Sequence, residues 1–171
     1  MFNLFKKKSD RIYLDHAAAT PVDPCVRSAM EPYWSQHFFN PSSLYAESVE
    51  SMNVLNQCRT RTAKMLGARP SEIIYTNGGT ESLNLALQGT VAAFQESHPD
   101  VTPHVVISAI EHSAVREVIY SLEKKSLLEV TELPVSERGI VDAADLKKAL
   151  RENTVLVSII YANNEVGTIQ P

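Results

Sequence analysis

The sequence is short of cysteine, of long apolar runs and of surplus basic charge, and each shortage removes a class of protein. Cys25 and Cys58 are the only cysteines in 171 residues, and they do not form a CxxC pair. A secreted disulfide framework needs more than that, and no metal site is expected. No stretch approaches the roughly 18 apolar residues that a membrane span requires. Lys and Arg number 16 against 20 Asp and Glu, for a formal charge of -4. Only Lys6, Lys7 and Lys8 cluster, so there is no basic stripe for nucleic acid. The opening "MFNLFKKKSDR" places its charges after a very short apolar stretch, the reverse order of a secretory signal, and residues 1–11 read as a frayed arm. A cytoplasmic enzyme or binding protein, with neither membrane nor nucleic acid as partner, is the expectation.

What is present suffices for one ordinary core, with 44% hydrophobic and 21% charged residues. "RIYLD" reads as a short strand, and Asp23 with Pro24 opens a helix at which Cys25 sits without a visible His or Lys partner. A helix from about Val49 to Leu66 carries Cys58, read as a structural thiol, and stops at Gly67. Strands are expected at "SEIIYT", "HVVISA", "LLEVTELPV" and "TVLVSIIYA". Helices are expected between them: one from Thr80 with Leu83, Leu87, Val91 and Phe94 on one face, one after Glu111 with Ala114, Val118 and Leu122 in register, and one capped by Asp142 with Asp145 completing a capping box. The unbroken apolar run of "HVVISA" suits a strand covered on both sides. Strand and helix in alternation predict an α/β fold, a mostly parallel sheet with helices on both faces.

In such folds ligands collect beyond the carboxyl ends of the strands. Three polar groups fall there: Gly78-Gly79-Thr80, Glu111-His112 and Asn163-Asn164-Glu165. Glycines let a backbone approach a ligand, and the first turn of a helix holds anions. Taken singly, Thr80 reads first as a helix cap, His112 as an ordinary hydrogen-bonded side chain and the asparagines as turn formers. The motif is neither a P-loop nor GxGxxG. Together, a phosphate cradle, a ring-stacking imidazole and an amide donor suit a small phosphorylated aromatic cofactor.

The stretches "YLDHAAATPVDP", "FFNPSS", "IIYTNGGTESLNLA", "EHSAV", "RGIVDAADL" and "TVLVSIIYANNEVGTIQP" closely resemble, in order and spacing, the N-terminal portion of cysteine desulfurases of the class V aminotransferase group. These are fold type I enzymes that use pyridoxal 5'-phosphate (PLP). The resemblance implies that residues 12–171 are the N-terminal part of a PLP-binding large domain, in which Gly79 and Thr80 bind the cofactor phosphate. It further implies that His112 stacks on the pyridine ring and helps move protons, that Asn164 donates to the ring's phenolic oxygen, and that Asn40 lines the substrate side. The reaction implied is removal of sulfur from L-cysteine, giving alanine and an enzyme persulfide for iron–sulfur cluster assembly or thiolation. A homodimer and a sulfur-acceptor or scaffold protein come with that reading.

The chain departs from the family pattern in two ways. Ala46 stands where the family's His follows "NPSS". The Schiff-base lysine, the acid paired with the pyridine nitrogen and the mobile-loop cysteine all belong beyond the equivalent of Pro171, so these 171 residues alone are expected to be inactive. Lys64, Lys124, Lys125, Lys147 and Lys148 are read as solvated helix lysines. A selenocysteine lyase, another enzyme of the same group, or a shortened non-catalytic binding protein are the other readings left open.

Overall fold

The computed structural model describes residues 12–171, so the arm expected over residues 1–11 lies outside the described residues. The described residues fall into two compact units that divide after Tyr75.

The first unit is helical. Asp23 accepts the Cys25 N–H at 2.8 Å and Pro24 supplies a preset φ, which starts α1 (Pro24–Met30) as expected. Pro32 opens α2 (Pro32–Ser35). α3 runs over Ala46–Leu66, three residues earlier than expected, and ends where Gly67 adopts φ 65. A 3-10 turn follows at Pro70–Glu72. The strands expected at "RIYLD" and "SEIIYT" do not form among the described residues: 12–15 and 73–76 are irregular and Ser71 and Glu72 belong to the 3-10 turn, with Ile12 and Leu14 at 83% and 85% exposure. Apolar alternation becomes a strand only where a neighbour accepts its backbone hydrogen bonds, and none of the described residues does so.

The second unit carries the expected sheet. Its strands are β1 (His104–Ser108), β2 (Glu129–Leu133) and β3 (Thr154–Ser158), all parallel and ordered β2-β1-β3. All five residues of the central strand are buried. On one face Val105 and Ile107 pack with Leu87 and Val91 of α4 (Gly79–Ser97) and with Val115, Val118 and Ile119 of α5 (Ser113–Lys124). On the other, Val106 joins Leu133, Val141 and Leu146, the last on α6 (Ala143–Ala149). Burying each such aliphatic side chain contributes about 1.5–3 kcal/mol, so alternate residues of β1 fix helices on both faces.

Asp142 caps α6 by accepting the Ala144 N–H at 2.7 Å. The capping box is not completed: Asp145 instead pairs with Lys148 at 2.8 Å, a cation one turn on.

The route of the chain defines where a crevice opens. From β1 it passes through α5 to β2 on one flank, then through α6 on the opposite face to β3 on the other flank. Ligands in such sheets collect beyond the carboxyl ends of the strands, and here the parallel neighbours β1 and β3 end side by side.

At the opposite end of β1 sits His104, fully buried. Its Nδ1 lies 2.8 Å from the Thr154 hydroxyl on β3 and its Nε2 2.8 Å from the Thr131 hydroxyl on β2. A neutral ring suits this bracket, accepting from one hydroxyl and donating to the other. Burial chiefly, and then the charge of Arg151, hold its pKa below the ordinary 6.5, with Glu129 opposing. Because the folded-state pKa is depressed, the stability that neutral His104 contributes is complete above pH 6.5 and is lost as pH falls toward the folded value. Urea unfolding between pH 7 and pH 5 is therefore expected to show stability falling by at most about 1.4 kcal/mol per pH unit from this group. His104→Gln should flatten that slope, and an unchanged slope in the variant would assign the titration elsewhere.

Candidate functional site

The turn into α4 is built around one carbonyl. Gly78 is the N-cap, with φ 153 and ψ -178, a backbone region open only to glycine. Its oxygen accepts from the Ser82 N–H and from the hydroxyls of Thr76 and Ser82, each at 3.1 Å, and those two hydroxyls lie 2.6 Å apart. Glu81 reaches back to take the Asn77 N–H at 2.6 Å. With the carbonyl held in this way, the N–H groups of Gly79, Thr80 and Glu81 in the first helical turn have no partner among the described residues. The Thr80 hydroxyl has none there either, so Thr80 is not the helix cap. A Cβ added at Gly79 would meet nothing within 4 Å. Unpaired donors, an open approach and the positive end of a 19-residue helix are what a turn that could cradle an anion requires.

His112 is the N-cap of α5, and its Nδ1 accepts the Ala114 N–H at 3.1 Å. This bond assigns the neutral ring's proton to Nε2 and leaves that nitrogen as the exposed donor. His112 lines two hollows. One, of about 450 Å³, is shared with Thr80, Asn84 and Gln88. The other, of about 380 Å³, is shared with Asn163, Asn164 and Glu165.

The loop after β3 is ordered from within. Asn163, 8% exposed, accepts from the N–H groups of Glu165 and Val166 at 2.9 and 3.0 Å and donates to the Ile110 carbonyl at 3.1 Å. Asn164 is exposed, and its amide donates to Glu165 at 3.0 Å. Glu111 is also 8% exposed. One of its oxygens accepts both the Ser108 hydroxyl at 2.9 Å and the Ile160 N–H at 2.5 Å.

The structure thus gathers Thr80 with His112, and His112 with Asn164, beyond the carboxyl ends of β1 and β3. Gly79 precedes Thr80 in the same turn. Asn40 belongs to the other compact unit, where its side chain accepts the Ser42 N–H at 2.9 Å. Glu111 and Asn163 are the residues that sequence reasoning passed over in favour of their neighbours. The available signal was an acid and an amide directly beyond two apolar strands, where burial obliges a polar group to find partners. Lys125 borders the first hollow from the far end of α5, roughly 20 Å along the helix axis from His112. Among the described residues no group of His, Cys, Asp and Glu is placed to hold a metal, and both cysteines are free and exposed.

The donor set fits PLP, with the cradle matching its phosphate and the imidazole and amide flanking space for its ring. Residues 12–171 match the Aminotransferase class-V family, and the chain belongs to it. A relative named cysteine desulfurase IscS, from Dictyoglomus turgidum, is 45% identical over 160 residues, covering 94% of this chain and 39% of the relative. Putative cysteine desulfurase IscS 1 of Bacillus subtilis is 43% identical, covering 95% and 41%. Among solved structures, a NifS-like protein superposes with a TM-score of 0.86 at 40% identity, covering 94% of this chain and 43% of that one. SspA in complex with cysteine gives 0.83 at 40% identity, covering 93% and 44%. The chain spans about two fifths of the length of the curated relatives it matches.

Gly78 and Gly79 are expected to fail differently. Gly78→Ala forces a side chain into a glycine-only conformation and should cost about 1–3 kcal/mol in urea unfolding. Gly79→Ala sits in an unstrained helical turn and should leave stability within about 1 kcal/mol while placing a methyl in the cradle. A phosphorus NMR titration with inorganic phosphate should then show weakened binding, and unchanged affinity would mean the turn holds no anion.

Proposed function

We propose that this chain is the N-terminal part of the cofactor-binding domain of a PLP-dependent cysteine desulfurase. The observation that carries the reading is the meeting of the α4 anion cradle, His112 and the Asn164 loop at one sheet edge, in a chain of this family. Substrate L-cysteine, the homodimer and a sulfur-acceptor or scaffold partner belong to the same proposal, as does a cytoplasmic setting. The exposed, unpaired cysteines accord with that setting. The exposure of Leu44, Met65 and Val166, at 96%, 86% and 70%, accords with further polypeptide packing over these surfaces. Among the described residues no helix is long and apolar enough to cross a membrane.

Each residue has a role that follows from its donors. The N–H groups of Gly79 and Thr80, with the Thr80 hydroxyl, hold the dianionic phosphate and so fix the cofactor's position along the sheet edge. His112 presents a flat imidazole whose Nδ1 is committed to Ala114, so any proton it gives or receives passes through Nε2. Asn164, by exchanging its bond to Glu165, offers an amide N–H to a ring oxygen. When bound, the cofactor supplies the electron sink that lets bonds to the substrate's α and β carbons break. Asn40 is proposed for the substrate side.

The test is titration of the purified chain with PLP, followed by the phosphorus resonance and by His112 ring shifts. Binding should be noncovalent, and Thr80→Ala should weaken it about tenfold, the cost of one lost hydrogen bond to a charged group. With L-cysteine added, alanine should form no faster than with free PLP. Sustained production of alanine and sulfide by the 171 residues alone would overturn the assignment of the reactive lysine and thiol to other polypeptide.

A further inference from the structure

Glu111 lies between two segments that share no backbone hydrogen bond with each other. The β1–β3 pairing ends at Ile107 and Ser158, so the spacing between the chain at 109–112 and at 159–166 is set by other means. Two side-chain links span the gap. Glu111 Oε1 takes the Ser108 hydroxyl at 2.9 Å and the Ile160 N–H at 2.5 Å, while Asn163 donates to the Ile110 carbonyl at 3.1 Å. Both side chains are nearly buried, so water cannot replace these bonds without cost. The two loops so tied supply every wall of the smaller hollow, from Ile110 to Ser113 on one side and Asn163 to Val166 on the other.

We propose that Glu111 is a positioning residue that sets the separation of His112 and Asn164 across this hollow. The proposal rests on the cofactor reading above for its functional meaning, though the clasp itself does not require a ligand. A carboxylate oxygen suits the task because it can accept two bonds at once, one from each strand end. The bond to Ile160 aligns the loop that leads into Asn163 and Asn164. The bond to Ser108 closes the turn that delivers His112 to its cap position on α5. Position rather than charge is what the geometry uses, so a neutral side chain of the same length with one carbonyl oxygen should serve.

Glu111→Gln and Glu111→Ala separate these roles in the ligand-free full chain by nitrogen-resolved NMR. The alanine variant should lose the unprotonated Nδ1 signature of His112 and shift or broaden the amides of 160–166, with β2 and α6 resonances unmoved. The glutamine variant should retain the wild-type pattern. If the alanine variant does not fold, Glu111→Asp, which withdraws the carboxylate by one methylene, should show the same loop changes. Wild-type His112 and loop resonances in either shortened variant, or loss of the pattern in Glu111→Gln, overturns the proposal. With PLP added, the alanine variant should bind about tenfold more weakly than wild type, as expected for donors moved off their acceptors. Absence of PLP binding by the wild-type chain would count against the cofactor reading alone, because the clasp is decided in spectra recorded without ligand.

Discussion

Everything in the second unit hangs on the double-sided burial of β1. A strand whose five residues are all buried needs apolar cover above and below and a hydrogen-bonded neighbour at each edge. Val105 and Ile107 obtain cover from α4 and α5, and Val106 obtains it from the α6 side. That division forces the two crossover connections onto opposite faces. The same arrangement sets the carboxyl ends of β1 and β3 side by side, and the loops that leave them line one hollow.

The same strand is fastened by polar groups at its two ends, and the chemistry differs with the task. At the amino end His104 bridges hydroxyls on both neighbours, closing the sheet where no ligand is expected. At the carboxyl end the buried side chains of Glu111 and Asn163 fasten the flank facing β3, while a backbone bond from Ala109 to Leu133 holds the flank facing β2. A sheet secured only by apolar packing would let these loops drift, since dispersion contacts are non-directional. Directional bonds from buried carboxylate and amide groups convert a packed core into defined positions for His112 and Asn164.

Periodicity made the sheet, its parallel order and most helix limits legible in the sequence. Asp23, Gly67 and Asp142 act as caps because their local chemistry suffices, whatever the tertiary setting. "SEIIYT" and "RIYLD" misled for the complementary reason: a strand is a pairwise structure, and a pattern for it is silent about whether a partner edge is present. The site divided the same way. Gly79, Thr80, His112 and Asn164 were visible as a polar set at shared strand ends, whereas Glu111 and Asn163 look like ordinary loop residues until burial gives them obligations. Asp145 shows the limit of local rules, since a lysine three residues on captured the carboxylate that a capping box would have used.

The turn at Gly78 keeps its N–H groups open by means of a strained backbone. Free N–H groups at a helix start are normally satisfied by a side-chain cap, and a sequence with Ser or Asp at that position would close its own site. Glycine at the N-cap offers no such side chain, and its φ of 153 turns the carbonyl toward Thr76 and Ser82. Those hydroxyls stabilise a backbone conformation that costs on the order of 1–3 kcal/mol. Glu81, the acid that could have folded onto the vacant donors, is instead drawn back to Asn77. The donors are thus kept open by three neighbouring side chains acting on the far side of the turn, and selection for an anion at this spot would act on Thr76, Ser82 and Glu81 as much as on the glycines.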